Sequence, residues 1–393
     1  MSDNWMGPFL SGANNLEFAG SFEIDLNEVK HFKSLDIDQQ DSYKFKGENN
    51  LVHYNHNPIG YVYLIKIATI VFPFLGDQLA VILLQCMVYV LINLLFLNLN
   101  TFNKRQRWLF FILFSINPIV LKFIPFNFYY FWQIIPTALF GYVLLASKPR
   151  RAFVIPLIIL LPFILLTRPT VIVSLLFVFY VLYKQFNYSF SLRCLLFTFL
   201  VSYMLYQPTK KNVWHTVYAG LGAYQNEYGI KLSDKAPYNL YERITGEKLV
   251  ASVGGNYYEE EVIDKYTVIT KEEVIKIFKE NPYIFIKNAF INTLQGFSFG
   301  YFNRNIDYIN YFISFIGFIF LVFLYYNKLY TWIIFILFTV GTFTIYYPPI
   351  PAYMFGNYLP IVLSLTLIKR IKKNNLINSY RKSFSNKKIK GKY

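Results

Sequence analysis

The chain has 393 residues, is 55% hydrophobic and 20% aromatic, and carries a formal net charge of +16. Its apolar runs are long, continuous and separated by short polar turns, which excludes an ordinary soluble domain and, for want of alternation, a β-barrel. The basic excess does not point to nucleic acid, because ten of the 38 lysines and arginines sit in an acid-free tail, 369–392, that suits anionic lipid on a cytoplasmic face.

Residues 1–77 read as an outer N-terminal region with juxtamembrane helices. The first 57 residues are polar and hold nine acids against four lysines. Within them, Asn4 to Phe22 carries Trp5, Phe9, Leu10, Leu16, Phe18 and Phe22 among small and polar residues, which predicts an amphipathic helix lying on the membrane. Asp36-Ile37-Asp38 with Asp41 has the form of a metal-binding D-x-D, but solvated surface acids have the same form and no metal is expected. The run 58–75 contains Pro58, Lys66 and Pro73, which disfavour a clean crossing, so it reads as a juxtamembrane or re-entrant helix. About six membrane crossings follow in 78–207, near 78–98, 108–121, 128–147, 152–166, 170–184 and 190–207. Cys86 and Cys194 fall inside these runs and read as small buried hydrophobes. Residues 208–307 form a second outer region. Three membrane helices occupy 308–368, near 308–326, 329–346 and 353–368, and the basic tail 369–393 is cytoplasmic. The fold class is an all-α polytopic membrane protein, a helical bundle with two outer-face loop regions.

Orientation follows from the charges, because lysine and arginine are retained in short cytoplasmic loops. Acid-free basic turns occur at Lys104-Arg105-Arg107, at Lys148-Arg150-Arg151, from Lys184 to Arg193 and at Lys328, and all of them go to the cytoplasm. Of the 22 acids, nine then fall in 1–57, twelve in 208–307, and Asp77 lies in the turn before the 78–98 helix, so every acid is outside. With 58–75 not crossing, the first residue starts outside, which predicts a further membrane helix upstream of Met1. Once the cytoplasmic turns, the tail and the outer regions are set aside, three cations remain, Lys66, Lys122 and Arg168, all at the outer membrane boundary. A charge at membrane depth costs at least ~2.5–3.5 kcal/mol unless it faces water, a partner or a phosphate. Snorkelling to the headgroups is the plain alternative. Three cations at one depth beneath acidic loops suit an outward-facing lipid-linked phosphate.

His56 and Asn57, just before Pro58, read as substrate hydrogen-bonding or plain interfacial groups. His53 and His56 have a metal-like spacing without a third ligand nearby. In 208–307, Trp214 and His215 open a series with Tyr218, Tyr224, Tyr228, Tyr238 and Tyr241, whose flat faces suit a sugar ring and equally a headgroup belt. Thr270 with Glu273 predicts a capping box opening an amphipathic helix over 271–280 that ends at Asn281-Pro282.

Four short stretches occur in order: Ser2-Asp3-Asn4-Trp5, His56-Asn57-Pro58-Ile59-Gly60-Tyr61, Leu166-Thr167-Arg168-Pro169 and Glu280-Asn281-Pro282. Their placement resembles that in the polyprenyl-phosphate-sugar-dependent membrane glycosyltransferases of the GT-C type, such as protein O-mannosyltransferases and aminoarabinose transferases. The resemblance covers most of the chain as architecture. It implies a GT-C-like bundle in a bacterial cytoplasmic membrane, with its active site on the outer face, moving a sugar from a polyprenyl-phosphate donor to a glycan or glycolipid acceptor. In such a reaction a carboxylate takes the acceptor's proton and cations stabilise the leaving phosphate. Asp3 is then the expected base and Arg168, followed by Lys122 and Lys66, the expected phosphate ligands. His56, Asn57, Trp214 and His215 are expected to bind substrate. Membrane lipid is the remaining expected partner, and no cofactor is expected beyond the lipid-linked donor. The chain departs from the family pattern in lacking its first membrane helix and in showing Asp3 alone where paired acids are common. The turn at 122–130 also holds no carboxylate. Two other classes stay open. A polysaccharide polymerase or ligase would use outer-loop arginines, here Arg243 and Arg304, and a lipid-linked glycan flippase would place charges at mid-membrane.

The acid distribution predicts that cysteines introduced at Asp36 and Ser252 react with an impermeant maleimide added to intact cells. Labelling only after the cytoplasmic face is opened would reverse the assigned topology.

Overall fold

The computed structural model describes residues 6–16, 23–47, 51–53, 58–126, 128–206, 212–252, 254–302 and 306–368. Among these the chain is helical apart from one two-stranded antiparallel sheet, Glu23–Asp25 with Leu51–His53, in which Ile24 lies opposite Val52. Asp25 ends the first strand and caps the Leu26–Ser34 helix, its carboxylate accepting from the Asn27 and Glu28 amides at 3.0 Å. Asp36 of the D-x-D sequence is the N-cap residue of the short Ile37–Ser42 helix, and its own amide donates to the Gln39 side chain.

The surface helix expected over 4–22 is corrected to Met6–Asn14, a helix buried from Met6 to Ala13. Its glycine and alanine positions let neighbours close in on every side. Gly7 meets Val29 and Phe32, while Phe9 packs edge-on to Tyr61 and against Phe128. The 58–75 run forms the Ile59–Val71 helix, whose 13 residues rise ~20 Å against a hydrocarbon core of ~30 Å. It packs between Met6–Asn14, Asp77–Leu97 and Arg151–Thr167. The contact with the last of these is backbone to backbone: a Cβ on Gly60 would lie 1.8 Å from the Phe163 carbonyl oxygen and 2.7 Å from the Thr167 amide.

The single helix expected over 108–121 is broken into Lys104–Phe110, a π-helical turn Phe111–Ser115 and a short Pro118–Leu121 segment. Pro118 has no amide hydrogen, so the Phe114 carbonyl loses its helical donor. The Ile119 amide turns instead to the Asn117 side chain, which leaves the Ser115 carbonyl without its own. The Tyr89 hydroxyl lies 3.0 and 2.9 Å from these two carbonyls and satisfies them from the neighbouring helix. Ile134–Leu145, Arg151–Thr167, Ile172–Gln185 and Tyr188–Met204 then pack on one another, and Pro351–Leu367 returns against Ile134–Leu145.

Between them, residues 212–302 carry four α-helices among the described residues: Val213–Leu221, Lys235–Thr245, Glu260–Glu280 and Pro282–Gln295. Thr270 opens no helix. It sits inside Glu260–Glu280, its hydroxyl 2.8 Å from the Tyr266 carbonyl and bonded to Asn212, because the helix begins at the acidic turn Glu260-Glu261.

Asp77–Leu97 and Asp307–Tyr326 are long and apolar enough to cross a membrane, and the other apolar helices are shorter. The bundle is apolar on its outer faces as well as in its core, where Phe9, Leu64, Leu139 and Phe140 are buried. Leu91, Leu94, Leu176, Leu200, Phe312 and Phe315 are each at least 50% exposed, whereas polar side chains turn inward. Buried Gln85 donates to the Ile124 and Phe126 carbonyls at 2.8 and 3.2 Å, and Gln295 to the Asn310 carbonyl at 2.9 Å. The two ends also differ. Thr101 donates to the Leu145 carbonyl and Gln106 to the Thr366 carbonyl, which gathers the basic turns at one end. At the other end the Phe45 amide donates to Asp77, and the 345–350 turn receives Val213–Leu221, where a Cβ on Gly220 would lie 2.0 Å from the Tyr346 carbonyl oxygen.

Gly60→Ala is expected to push Ile59–Val71 off Phe163 and to destabilise the fold by ~1–3 kcal/mol, the usual cost of overpacking. Gly341→Ala, with no atom within 4 Å of the added Cβ, should leave the melting temperature in detergent unchanged or slightly raised. Equal melting of the two variants would contradict the close approach.

Candidate functional site

Arg168 closes the Arg151–Thr167 helix, its amide donating to the Ile164 carbonyl at 2.9 Å. Because Pro169 follows, Arg168 is forced out of helical geometry, to φ −145° and ψ 91°. The side chain enters an aromatic cage assembled from three distant segments. Its Cζ lies 4.2 Å from the Tyr353 ring centre, 5.7 Å from Phe343 and 6.0 Å from Tyr130. The rings support one another, with Tyr130 5.5 Å and Phe343 5.8 Å from Tyr353. Further rings extend the cage towards Tyr129 and Tyr61 on one side and Tyr347 on the other.

The guanidinium carries five N–H donors, and among the described residues none reaches a hydrogen-bond acceptor or a carboxylate. Its Nη1 is buried and unpartnered, as is Nε2 of Gln133. Both residues border a cavity of about 20 Å³ that also touches Thr137, Ser174, Thr342 and Asn357. That volume is enough for about one water-sized group. Buried donors without partners are rare in native proteins, so this end of Arg168 is set up to receive an acceptor atom.

On the other side of the cage, Val213–Leu221 brings His215 into an acid–imidazole–phenol arrangement. His215 Nδ1 is 2.6 Å from the Tyr266 hydroxyl and Nε2 is 3.3 Å from Asp234 Oδ1. Burial, reinforced by the charge of Asp234 and by Tyr238 and Tyr257, pushes the Tyr266 hydroxyl well above the ordinary tyrosine range, so it remains a donor. A carboxylate only accepts, so the chemistry selects the tautomer with hydrogen on Nε2, donating to Asp234, and with Nδ1 accepting from Tyr266. The bond from His215 holds the Asp234 carboxyl below the usual carboxylate range. The Asp234 charge also acts on Tyr347, whose hydroxyl is raised by burial, by Tyr353 and by Asp234. Tyr347 in turn packs on Tyr353, the ring against which Arg168 stacks.

The expected site residues distribute as follows. Arg168 stacks on Tyr353, and His215 bonds to Tyr266 and Asp234. Trp214, next to His215 in sequence, faces the other way and packs on the cluster of Tyr218, Leu221 and Ile277. Lys66 is half-buried, with Nζ 3.5 Å from the Asn14 carbonyl. Lys122 is exposed at the end of Pro118–Leu121. Asp3, His56 and Asn57 lie outside the described residues. Asp234 was not singled out from the sequence, where an acid one residue before a helix reads as an N-cap. It makes no capping bond, and its carboxylate goes to His215 instead.

Comparison with protein-family models, with curated proteins and with solved structures finds no match.

Because the Asp234 carboxyl is depressed in the folded state, its contribution to stability is present above the unfolded value near pH ~3.9 and is lost as pH falls through the lower folded value. The side chain is 75% exposed, so screening keeps that contribution below ~1 kcal/mol. Melting temperatures of wild type and Asp234→Asn should therefore differ slightly near neutrality and converge as the pH falls below the depressed folded value. A difference that persists at acid pH would assign the effect to packing rather than to charge.

Proposed function

We propose that the chain is a polytopic membrane glycosyltransferase that moves a sugar from an outward-facing polyprenyl-phosphate donor to a glycan or lipid acceptor of the cell envelope. The membrane part is supported by the exposed apolar faces of the bundle and by the hydrogen bonds that satisfy its buried polar side chains, since both suit lipid as solvent. The separation of basic turns from acidic regions supports an orientation with Arg168 at the outer face of a bacterial cytoplasmic membrane.

The transferase reading is carried by one observation: a guanidinium held by three rings, with a buried, unpartnered Nη1 and no acceptor bonded to its side chain among the described residues. A phosphate oxygen is the acceptor that a planar guanidinium matches best. The surrounding rings give apolar faces for the first isoprene unit and for a sugar. In the proposed reaction the acceptor hydroxyl oxygen attacks the anomeric carbon as a carboxylate takes its proton. The bond from that carbon to the phosphate oxygen breaks, its electron pair stays on the lipid phosphate, and Arg168 stabilises the charge that develops there. Asp234, held by His215, is a second candidate carboxylate, its charge acting on Tyr347, the ring that packs on Tyr353. Asp3, the base expected from the resemblance, competes with it for this role.

The test is sugar transfer from a defined polyprenyl-phosphate donor in detergent, normalised to folded protein. Loss of a charge-assisted contact costs ~1.5–3 kcal/mol, so Arg168→Ala should lower turnover at least ~10-fold and Arg168→Lys should recover only part. Asp3→Asn and Asp234→Asn, assayed side by side, identify the base as the variant that loses turnover while keeping its KM. Wild-type transfer by Arg168→Ala would overturn the proposal.

A further inference from the structure

A second cavity lies at the opposite end of the bundle from Arg168, between the C-terminal half of Asp77–Leu97 and the N-terminal half of Arg151–Thr167. Its volume is about 590 Å³, within the ~300–1,000 Å³ of ordinary ligand sites. The walls are aliphatic and include Leu91, Ile92, Leu95, Leu157 and Leu160. Polar groups are confined to its mouth, at Asn98, Asn100, Ser147, Lys148 and Arg150. A third cation stands there, because Arg107 Nη2 donates to the carbonyl of Leu99, itself a lining residue. Tyr142, also in the lining, accepts from the Arg150 amide at 3.2 Å and fixes the turn that carries the basic side chains. Among the described residues neither Lys148 nor Arg150 has an acidic partner.

The depth of the cavity has a natural measure. Its lining extends from Asn98 back to Val88 and from Arg150 on to Leu160, or ~15 Å at 1.5 Å per helical residue. That is half of the ~30 Å hydrocarbon core, the thickness of one leaflet.

We propose that this cavity holds an acyl chain of an anionic phospholipid drawn from the cytoplasmic leaflet, with the lipid phosphate at Lys148 and Arg150. An apolar shaft of one-leaflet depth under a rim whose charged groups are all cations favours a lipid with a net negative headgroup over a zwitterionic one, which brings its own cation to the same rim. The inference rests on the bilayer placement proposed above and is independent of glycosyl transfer.

The experiment uses the full chain purified from membranes in a mild non-ionic detergent, titrated with phosphatidylglycerol or phosphatidylcholine and read by native mass spectrometry. Phosphatidylglycerol should be retained at least ~10-fold more tightly, in line with a charge-assisted contact. The Lys148→Gln/Arg150→Gln pair should lose that preference with unchanged melting of the lipid-free protein. Leu157→Trp, which fills the shaft without touching the rim, should reduce retention of both lipids. Equal retention of the two lipids by wild type, or an unchanged preference in the double variant, would overturn the site while leaving the membrane placement intact. Recovery of the protein in the soluble fraction without detergent would overturn the placement and the site with it.

Discussion

The Arg168 guanidinium lies 4.2 Å from the centre of the Tyr353 ring, and that contact ties the end of Arg151–Thr167 to the first turn of Pro351–Leu367. Three local constraints make it. Pro169 denies Arg168 a helical backbone. Gly60 lets Ile59–Val71 press against the Phe163 carbonyl just before the turn. Gly220 lets the 212–302 region sit on the Tyr346 carbonyl, a few residues before Tyr353. A cation stacked on rings gains ~0.5–2 kcal/mol per contact, less than the several kcal/mol lost when an ion is taken out of water. The balance is left to whatever acceptor Arg168 meets.

What the sequence made legible was local. Arg168 stood out as a charge between two apolar runs, and its proline neighbour marked a turn. The helices Asp307–Tyr326, Tyr330–Thr344 and Pro351–Leu367 fall within a few residues of their apolar runs. What was not legible depends on contacts distant in the chain. No spacing rule joins Tyr130, Phe343 and Tyr353 around one guanidinium. Asp234 carried the signature of a helix cap, and only the fold brings the His215 imidazole within reach of it. Thr270 with Glu273 matched a capping box, yet local pattern lost to tertiary packing, because Glu260–Glu280 buries Ile263 and Tyr266 ahead of it. The Pro282–Gln295 helix was hidden for a related reason: its buried face presents Asn288, Asn292 and Gln295, which read as loop composition. The break at Pro118 was foreseeable from the missing amide, whereas its repair by Tyr89 was not.

Buried polar side chains help the bundle accommodate irregular backbone near proline. Pro156 and Pro162 lie inside one helix and Pro360 inside another. Each frees the carbonyl four residues before it, and a hydroxyl or amide on a neighbouring helix is one source of a replacement donor. Tyr89 acts in this way at Phe114, the carbonyl that Pro118 frees, and at Ser115. The interior polar groups thus hold irregular backbone in place, which a purely apolar interior would leave unsatisfied.

The lengths of the helices around Arg168 bear on where a bilayer would meet it. Arg151–Thr167 and Tyr188–Met204 have 17 residues each, or ~25 Å of rise, against a hydrocarbon thickness of ~30 Å. In the proposed placement the lipid beside these two helices thins by ~5 Å to match them. Thinning draws the outer phosphate plane down towards the helix ends. The depression lies where Arg168 sits, so a lipid-borne phosphate reaches the guanidinium by lateral diffusion, without being lifted out of its own leaflet.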